Sequence, residues 1–172
     1  MKNTRYLTTM GLLLALACGI SFLETLLPLP LGVKPGLSSI VVMYVLLFMD
    51  ARSAWLLTVL KSGFVFLTRG VTAGIMSLSG GIASLCVMLL LLRLLHCSTL
   101  LMSISGAISH NLGQLLAAML LLGTPAPGFQ LPVLILAGWI AGTGTGLCFQ
   151  AMLPAFRRLS RLQRKSCGSS DK

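Results

Sequence analysis

The chain has 172 residues, 56% of them apolar and only 9% charged, with a formal net charge of +10. A soluble domain carries about 25% charged residues, so this chain has too few to cover a water-facing surface. Its cations gather at the termini and in short loops rather than on one face of a soluble fold, which excludes a nucleic-acid-binding module.

Crossing a hydrocarbon core about 30 Å thick takes roughly 20 apolar residues per helix. The chain's punctuation divides it into six spans of about that kind. The start has the outline of a lipoprotein signal: Lys2 and Arg5, an apolar stretch, then Ala15-Leu16-Ala17-Cys18. The sequence nevertheless stays apolar through Gly19-Ile20-Ser21-Phe22-Leu23, so it reads as an uncleaved first span over about residues 6–27, stopped by Pro28 and Pro30. A loop over 28–35 holds Lys34. The second span, 36–49, is short for a full crossing and ends at Asp50-Ala51-Arg52. The third covers 54–67 and ends near Arg69-Gly70, and the fourth covers 72–95, closed by Arg93 and His96. The fifth covers 99–122, ended by Gly123-Thr124-Pro125-Ala126-Pro127-Gly128, and the sixth covers 131–153, stopped by Pro154. The expected fold is an all-α integral membrane protein, a six-transmembrane-helix bundle over 1–156, followed by a basic, frayed cytoplasmic tail over 157–172.

Five cysteines, Cys18, Cys86, Cys97, Cys148 and Cys167, show no ligand spacing. Neither a disulfide framework nor a metal site is expected, and no cofactor. Orientation follows from the excess of Lys and Arg on cytoplasmic loops. With the N-terminus inside, ten cations lie on the inner side: Lys2, Arg5, Arg52, Arg93, Arg157, Arg158, Arg161, Arg164, Lys165 and Lys172. Only Lys34 and Arg69 lie outside, and Lys61 falls within the third span. Both termini are therefore expected in the cytoplasm, with the protein multi-pass in the bacterial cytoplasmic membrane.

An ionisable group at the centre of a spanning helix costs about 2.5–3.5 kcal/mol on insertion scales, so such groups face a protein interior and mark functional cavities. Glu24 sits near the outer end of the first span, Lys61 in the middle of the third, and His110, Asn111 and Gln114 in the fifth. The topology places all of them, with Lys34 and Arg69, at the midplane or in the outer half. They are candidate substrate-binding residues. The competing structural readings are a Glu24–Lys34 pair capping the outer loop, a snorkelling Lys61 and a core histidine.

Small residues add a second pattern. Ser103, Gly106, Ala107, His110, Gly113, Gln114 and Ala117 follow helical spacing, and Gly138, Gly142 and Gly146 recur at four-residue intervals, the pattern that lets helix backbones approach closely. In the fourth span, Ser79-Gly80-Gly81 fits either tight packing or backbone exposed at a cavity, and the three join the candidate substrate-binding residues. Gly11, Ala15 and Gly19 form a stripe on the first span, suited to internal packing or to docking another protein.

Four segments carry a resemblance: Leu23-Glu24-Thr25-Leu26-Leu27-Pro28, Gly32-Val33-Lys34-Pro35-Gly36-Leu37-Ser38-Ser39-Ile40, Ser77-Leu78-Ser79-Gly80-Gly81 and Ser109-His110-Asn111-Leu112-Gly113-Gln114-Leu115. Over about residues 12–153 the chain resembles the Gx transporter family, known too as heptaprenyl diphosphate synthase component I. That family is similar to the substrate-binding S components of energy-coupling-factor (ECF) vitamin importers. The resemblance implies six helices, an outward-opening cavity for a small-molecule ligand, and a first-helix stripe, here Gly11-Ala15-Gly19, that docks a transmembrane coupling protein with its ATPase subunits. The sequence departs from the family pattern at Ser39, where asparagine is expected, and at Lys61, where arginine is expected. Lys61 keeps the charge and loses the bidentate fork.

Three functions compete. The chain has no phosphate-binding loop, so an importer subunit would draw energy from partners or an ion gradient. Prenyl diphosphate chemistry needs clustered aspartates holding Mg²⁺, and the three acids here, Glu24, Asp50 and Asp171, are far apart. The chain is therefore expected not to be an enzyme, leaving an accessory role in isoprenoid synthesis as the second reading. A membrane scaffold is the third.

Overall fold

A computed structural model describes residues 2–26, 38–94 and 98–168. Six α-helices run in order: α1 Lys2–Leu26, α2 Ser39–Phe48, α3 Ala51–Arg69, α4 Val71–Leu94, α5 Thr99–Leu122 and α6 Leu131–Gly168. A short 3-10 helix, Ala126–Gln130, leads into α6. No strand occurs among the described residues. Stretches of α1, α4, α5 and α6 are long and apolar enough to cross a bilayer. Leu12, Leu67, Leu94, Leu120 and Ile140 stand exposed on the outside, where lipid is the compatible neighbour. The protein is an all-α membrane protein.

The other two helices differ from a simple crossing. Helix α2 has ten residues, about 15 Å at 1.5 Å per residue, half the thickness of a hydrocarbon core. It packs against α1, α3, α4, α5 and α6 and stands in the middle of the bundle. Helix α3 has 19 residues but includes Arg52, Lys61 and Arg69. Of the six expected spans, four are long apolar helices, the third is a charged helix of spanning length, and the second, expected to be short, is a ten-residue helix of half that length.

Gly70 alone connects α3 to α4. Its φ of +87° lies where residues with a Cβ rarely go, and its N–H donates to Phe66 O at 3.1 Å. The two helices close on each other at once: a Cβ on Gly74 would lie 2.7 Å from Phe66 Cβ. Helices α4 and α5 meet through Gly80 and Gly113, where a Cβ on Gly113 would fall 3.0 Å from Gly80 Cα. Ser79 Oγ donates to Gly113 O at 3.0 Å across the same seam.

Helix α6 lays Gly138, Gly142 and Gly146 against Ile108, Ile104 and Leu100 of α5, the close approach that the four-residue spacing implies. Hydrogen bonds rung this seam at Asn111 Nδ2 to Leu134 O (3.1 Å), Ser103 Oγ with Thr145 Oγ1 (2.8 Å) and Gln150 Nε2 to Thr99 Oγ1 (3.2 Å). The expected stop at Pro154 does not occur, because α6 continues through it to Gly168. Proline removes one backbone donor and crowds the carbonyl four residues before it, but the following Ala-, Arg-, Leu-, Gln- and Lys-rich segment has high helix propensity. At 38 residues the helix is about 57 Å long, well beyond one bilayer core.

The apolar core gathers around α2. Val41, Val42, Met43, Val45 and Leu46 pack with Met10 and Ala17 of α1, Ala54 and Leu57 of α3, Leu85 and Met88 of α4, Met102 of α5 and Phe149 of α6. Ser38 lies just before α2, at the end of the helix where polar groups collect.

Candidate functional site

Four helices and Ser38, the residue before α2, contribute side chains to one largely buried polar cluster, and helical spacing explains why. On α1, Ser21 and Glu24 are three residues apart and share a face. On α3, Lys61, Val65 and Arg69 follow at four-residue intervals. On α5, His110 and Gln114 do the same. Ser38 enters from the start of α2 and Ser77 from α4. Together these nine residues line a cavity with about 10 Å³ of free volume, the scale of a single water molecule.

Burial is deep for groups so polar. Glu24 is 6% exposed, Lys61 5% and His110 4%. Ser38 joins the two charged side chains: its backbone N–H donates to Glu24 Oε1 at 3.2 Å, and its Oγ accepts from Lys61 Nζ at 2.6 Å. The carboxylate thus sits at the free N–H groups that open α2, where the helix dipole favours negative charge. Across the cavity, Gln114 Nε2 lies 3.0 Å from His110 Nε2. Lys61 and Arg69 against the single carboxylate of Glu24 leave an excess of positive charge. Such an arrangement has the chemistry to hold and orient anionic or carbonyl groups. It has no paired acids for general acid–base work.

The structure brings together Glu24, Lys61, Arg69, His110 and Gln114. Lys34 lies outside the described residues. Asn111 does not line the cavity, because one residue along a helix is a turn of about 100°, and its amide instead bonds Leu134 O on α6. Ser79, Gly80 and Gly81 do not line it either. They are the surface on which α4 meets its neighbours: a Cβ on Gly80 would lie 2.8 Å from His110 O, and one on Gly81 would lie 2.5 Å from Thr58 Cγ2. Of the two readings open for this segment, packing is the one observed, and Gly80 backs directly onto the site's histidine. Gly11, Ala15 and Gly19 are exposed on α1, and a Cβ on Gly11 or Gly19 would meet nothing within 4 Å. The stripe packs against nothing described in this chain.

Sequence reasoning missed Ser21, Ser38, Val65 and Ser77. Ser21 and Val65 were legible as the helical neighbours of Glu24 and Lys61, and Ser77 lies one turn before Gly80. Ser38 had no periodic signal. Its place in the 32–40 segment of the resemblance and at the start of the second apolar run marks it.

The family model for heptaprenyl diphosphate synthase component I matches residues 13–152. The chain belongs to that family. The match runs from α1 into α6 and so takes in every described residue that lines the cavity. The chain matches no curated protein and no solved structure.

Proposed function

We propose that this family member is a membrane-embedded solute-binding subunit, similar to an S component, serving an ECF-type importer for a small anionic or carbonyl-rich solute. One observation carries the reading: Glu24, Lys61 and His110, all buried, gather with the half-buried Arg69 and Gln114 at one end of a bundle whose other buried described residues are apolar or uncharged. Burying such groups is costly unless they have partners, and a bundle held together by packing alone has no use for them. The cavity as it stands is closed around roughly one water. A solute enters when the helices around it part, and binding energy then accrues from groups already oriented by Ser38 and Gln114. The exposed Gly11-Ala15-Gly19 stripe supports a transmembrane coupling partner, since small residues admit a close backbone approach. In this reading both termini are cytoplasmic, the membrane is the bacterial cytoplasmic one, and the chain catalyses nothing itself.

The family's description favours a second reading, an accessory membrane component of prenyl diphosphate synthesis. Purification in mild detergent separates the two. Co-purifying ATPase and coupling subunits, with a small polar solute found by mass spectrometry, supports the importer. A soluble prenyl synthase with a bound isoprenoid supports the second reading. A stable complex with neither ligand would leave a scaffold.

A further inference from the structure

At the other end of the α3–α4 hairpin from Arg69, a groove of about 640 Å³ opens between the two helices. Its mouth carries Arg52 and Arg93, and its walls are Trp55 and Ala51 of α3 with Cys86, Leu89, Leu90 and Leu94 of α4. The volume falls in the range of about 300–1,000 Å³ usual for ligand pockets. It belongs to neither the polar cavity nor the α1 stripe.

Depth, charge and chemistry point to one kind of occupant. Arg52 and Arg69 are 17 positions apart on α3, about 26 Å along the axis, close to the thickness of a hydrocarbon core. If the helix spans, both arginines stand at headgroup level, and Arg93 stands beside Arg52. Neither Arg52 nor Arg93 has a hydrogen-bond or ion-pair partner among the described residues. Asp50, exposed just before α3, is the acid next to this mouth, so the mouth itself carries two cations against one anion. Trp55 lies one turn deeper, where indole rings anchor at the interface. Beside it the wall is apolar: Leu90, one turn in from Arg93, is 56% exposed, and Leu94, at the level of Arg93, 68%. Cys86 sits two turns beyond Arg93, about 10 Å further into the core. A phosphate-bearing head between two guanidinium forks, above an apolar furrow, is the complement of an anionic amphiphile.

We propose that the Arg52–Arg93 groove binds an anionic phospholipid of the bilayer. Its phosphate bridges the two guanidinium groups and one acyl chain lies along Trp55, Leu90 and Cys86. This site is independent of the importer reading, because no residue of the polar cavity takes part.

Cys86 reports on occupancy. The experiment uses the full chain in a neutral detergent, with Cys18, Cys97, Cys148 and Cys167 replaced by alanine, and follows the rate at which a maleimide labels Cys86. Phosphatidylglycerol is expected to slow labelling, while phosphatidylcholine with the same chains has little effect at equal concentration. Each basic side chain is worth about fivefold against an anionic headgroup, so Arg52→Gln with Arg93→Gln raises the half-protecting concentration about 25-fold. Equal protection by phosphatidylcholine overturns the charge argument. Protection by inorganic phosphate alone assigns the forks to a free anion and overturns the lipid. Tighter protection by a prenyl diphosphate than by phosphatidylglycerol also overturns it, in favour of a diphosphate amphiphile. If the double variant does not fold, Arg52→Lys with Arg93→Lys keeps the charge and removes the forks, and the two phospholipids compared on the otherwise unaltered chain decide the matter.

Discussion

Replacing Gly80 by alanine places a methyl group where the bundle has no room for one. The new Cβ would lie 2.8 Å from His110 O, 2.8 Å from Gln114 Cγ and 3.0 Å from His110 Cε1. The side-chain atoms can rotate away, but the carbonyl belongs to the backbone of α5, so the helix itself must shift. Overpacking of this kind costs about 1–3 kcal/mol, offset by about 0.5–1 kcal/mol of helix propensity gained when alanine replaces glycine. Because a backbone atom is involved, the upper part of that interval applies, a net loss of about 2 kcal/mol. For a chain of this length each kcal/mol moves the melting point by about 2–4 °C, so the fall is about 4–8 °C. Gly144 is the control: it is helical and exposed, and its Cβ would meet nothing within 4 Å. Gly144→Ala therefore raises the melting point slightly. Thermal unfolding in mild detergent reads both variants, and solute retention reads the displacement of His110 and Gln114. Should Gly80→Ala melt at or above Gly144→Ala, the α4–α5 contact described here is not the one that positions the histidine.

Lys61→Met removes the donor to Ser38 Oγ and one of the cavity's two cations, so solute retention, measured by mass spectrometry of the purified protein, is expected to fall more than tenfold. Asn111→Leu loses the bond to Leu134 O and adds bulk beside Gly138. The expected result is a loss of about 1 kcal/mol in stability with solute retention nearly unchanged, and the reverse pattern would return Asn111 to the site. Ala15→Leu fills an exposed small-residue stripe, so it weakens recovery of a coupling partner in pull-downs and leaves solute binding alone. A reporter fused after Lys172 is expected to be cytoplasmic, and activity on the other face would invert the proposed topology.

The helical class and most element boundaries were readable because lipid imposes a simple requirement: long apolar runs between polar punctuation. Helix α5 falls on 99–122 as expected, and the Gly138-Gly142-Gly146 spacing foretold its seam with α6. The site was half readable. Charges in apolar helices stand out, so Glu24, Lys61 and His110 could be picked from the residues alone. Direction around the helix was harder. Asn111 looks equivalent to Gln114 by composition, yet only Gln114 shares a face with His110. The stripe Ser103, Gly106, His110, Gly113 and Gln114 already held that information, and Asn111 is absent from it. Pro154 misled for a different reason. One missing donor is a local defect, whereas the propensity of the following residues acts over several turns.

The one-residue connection at Gly70 also bears on how the protein enters its membrane. Helix α3 brings Arg52, Lys61 and Arg69, and a central lysine alone disfavours insertion by about 2.5–3.5 kcal/mol. Helix α4 is rich in leucine and carries a single cation, Arg93, at its far end. A connector of one residue reaches at most about 3.5 Å, so the end of α3 stays beside the start of α4 wherever α4 sits. Since the two helices also pack along one another, they are expected to enter as one hairpin, with the apolar transfer of α4 offsetting the cost of Lys61.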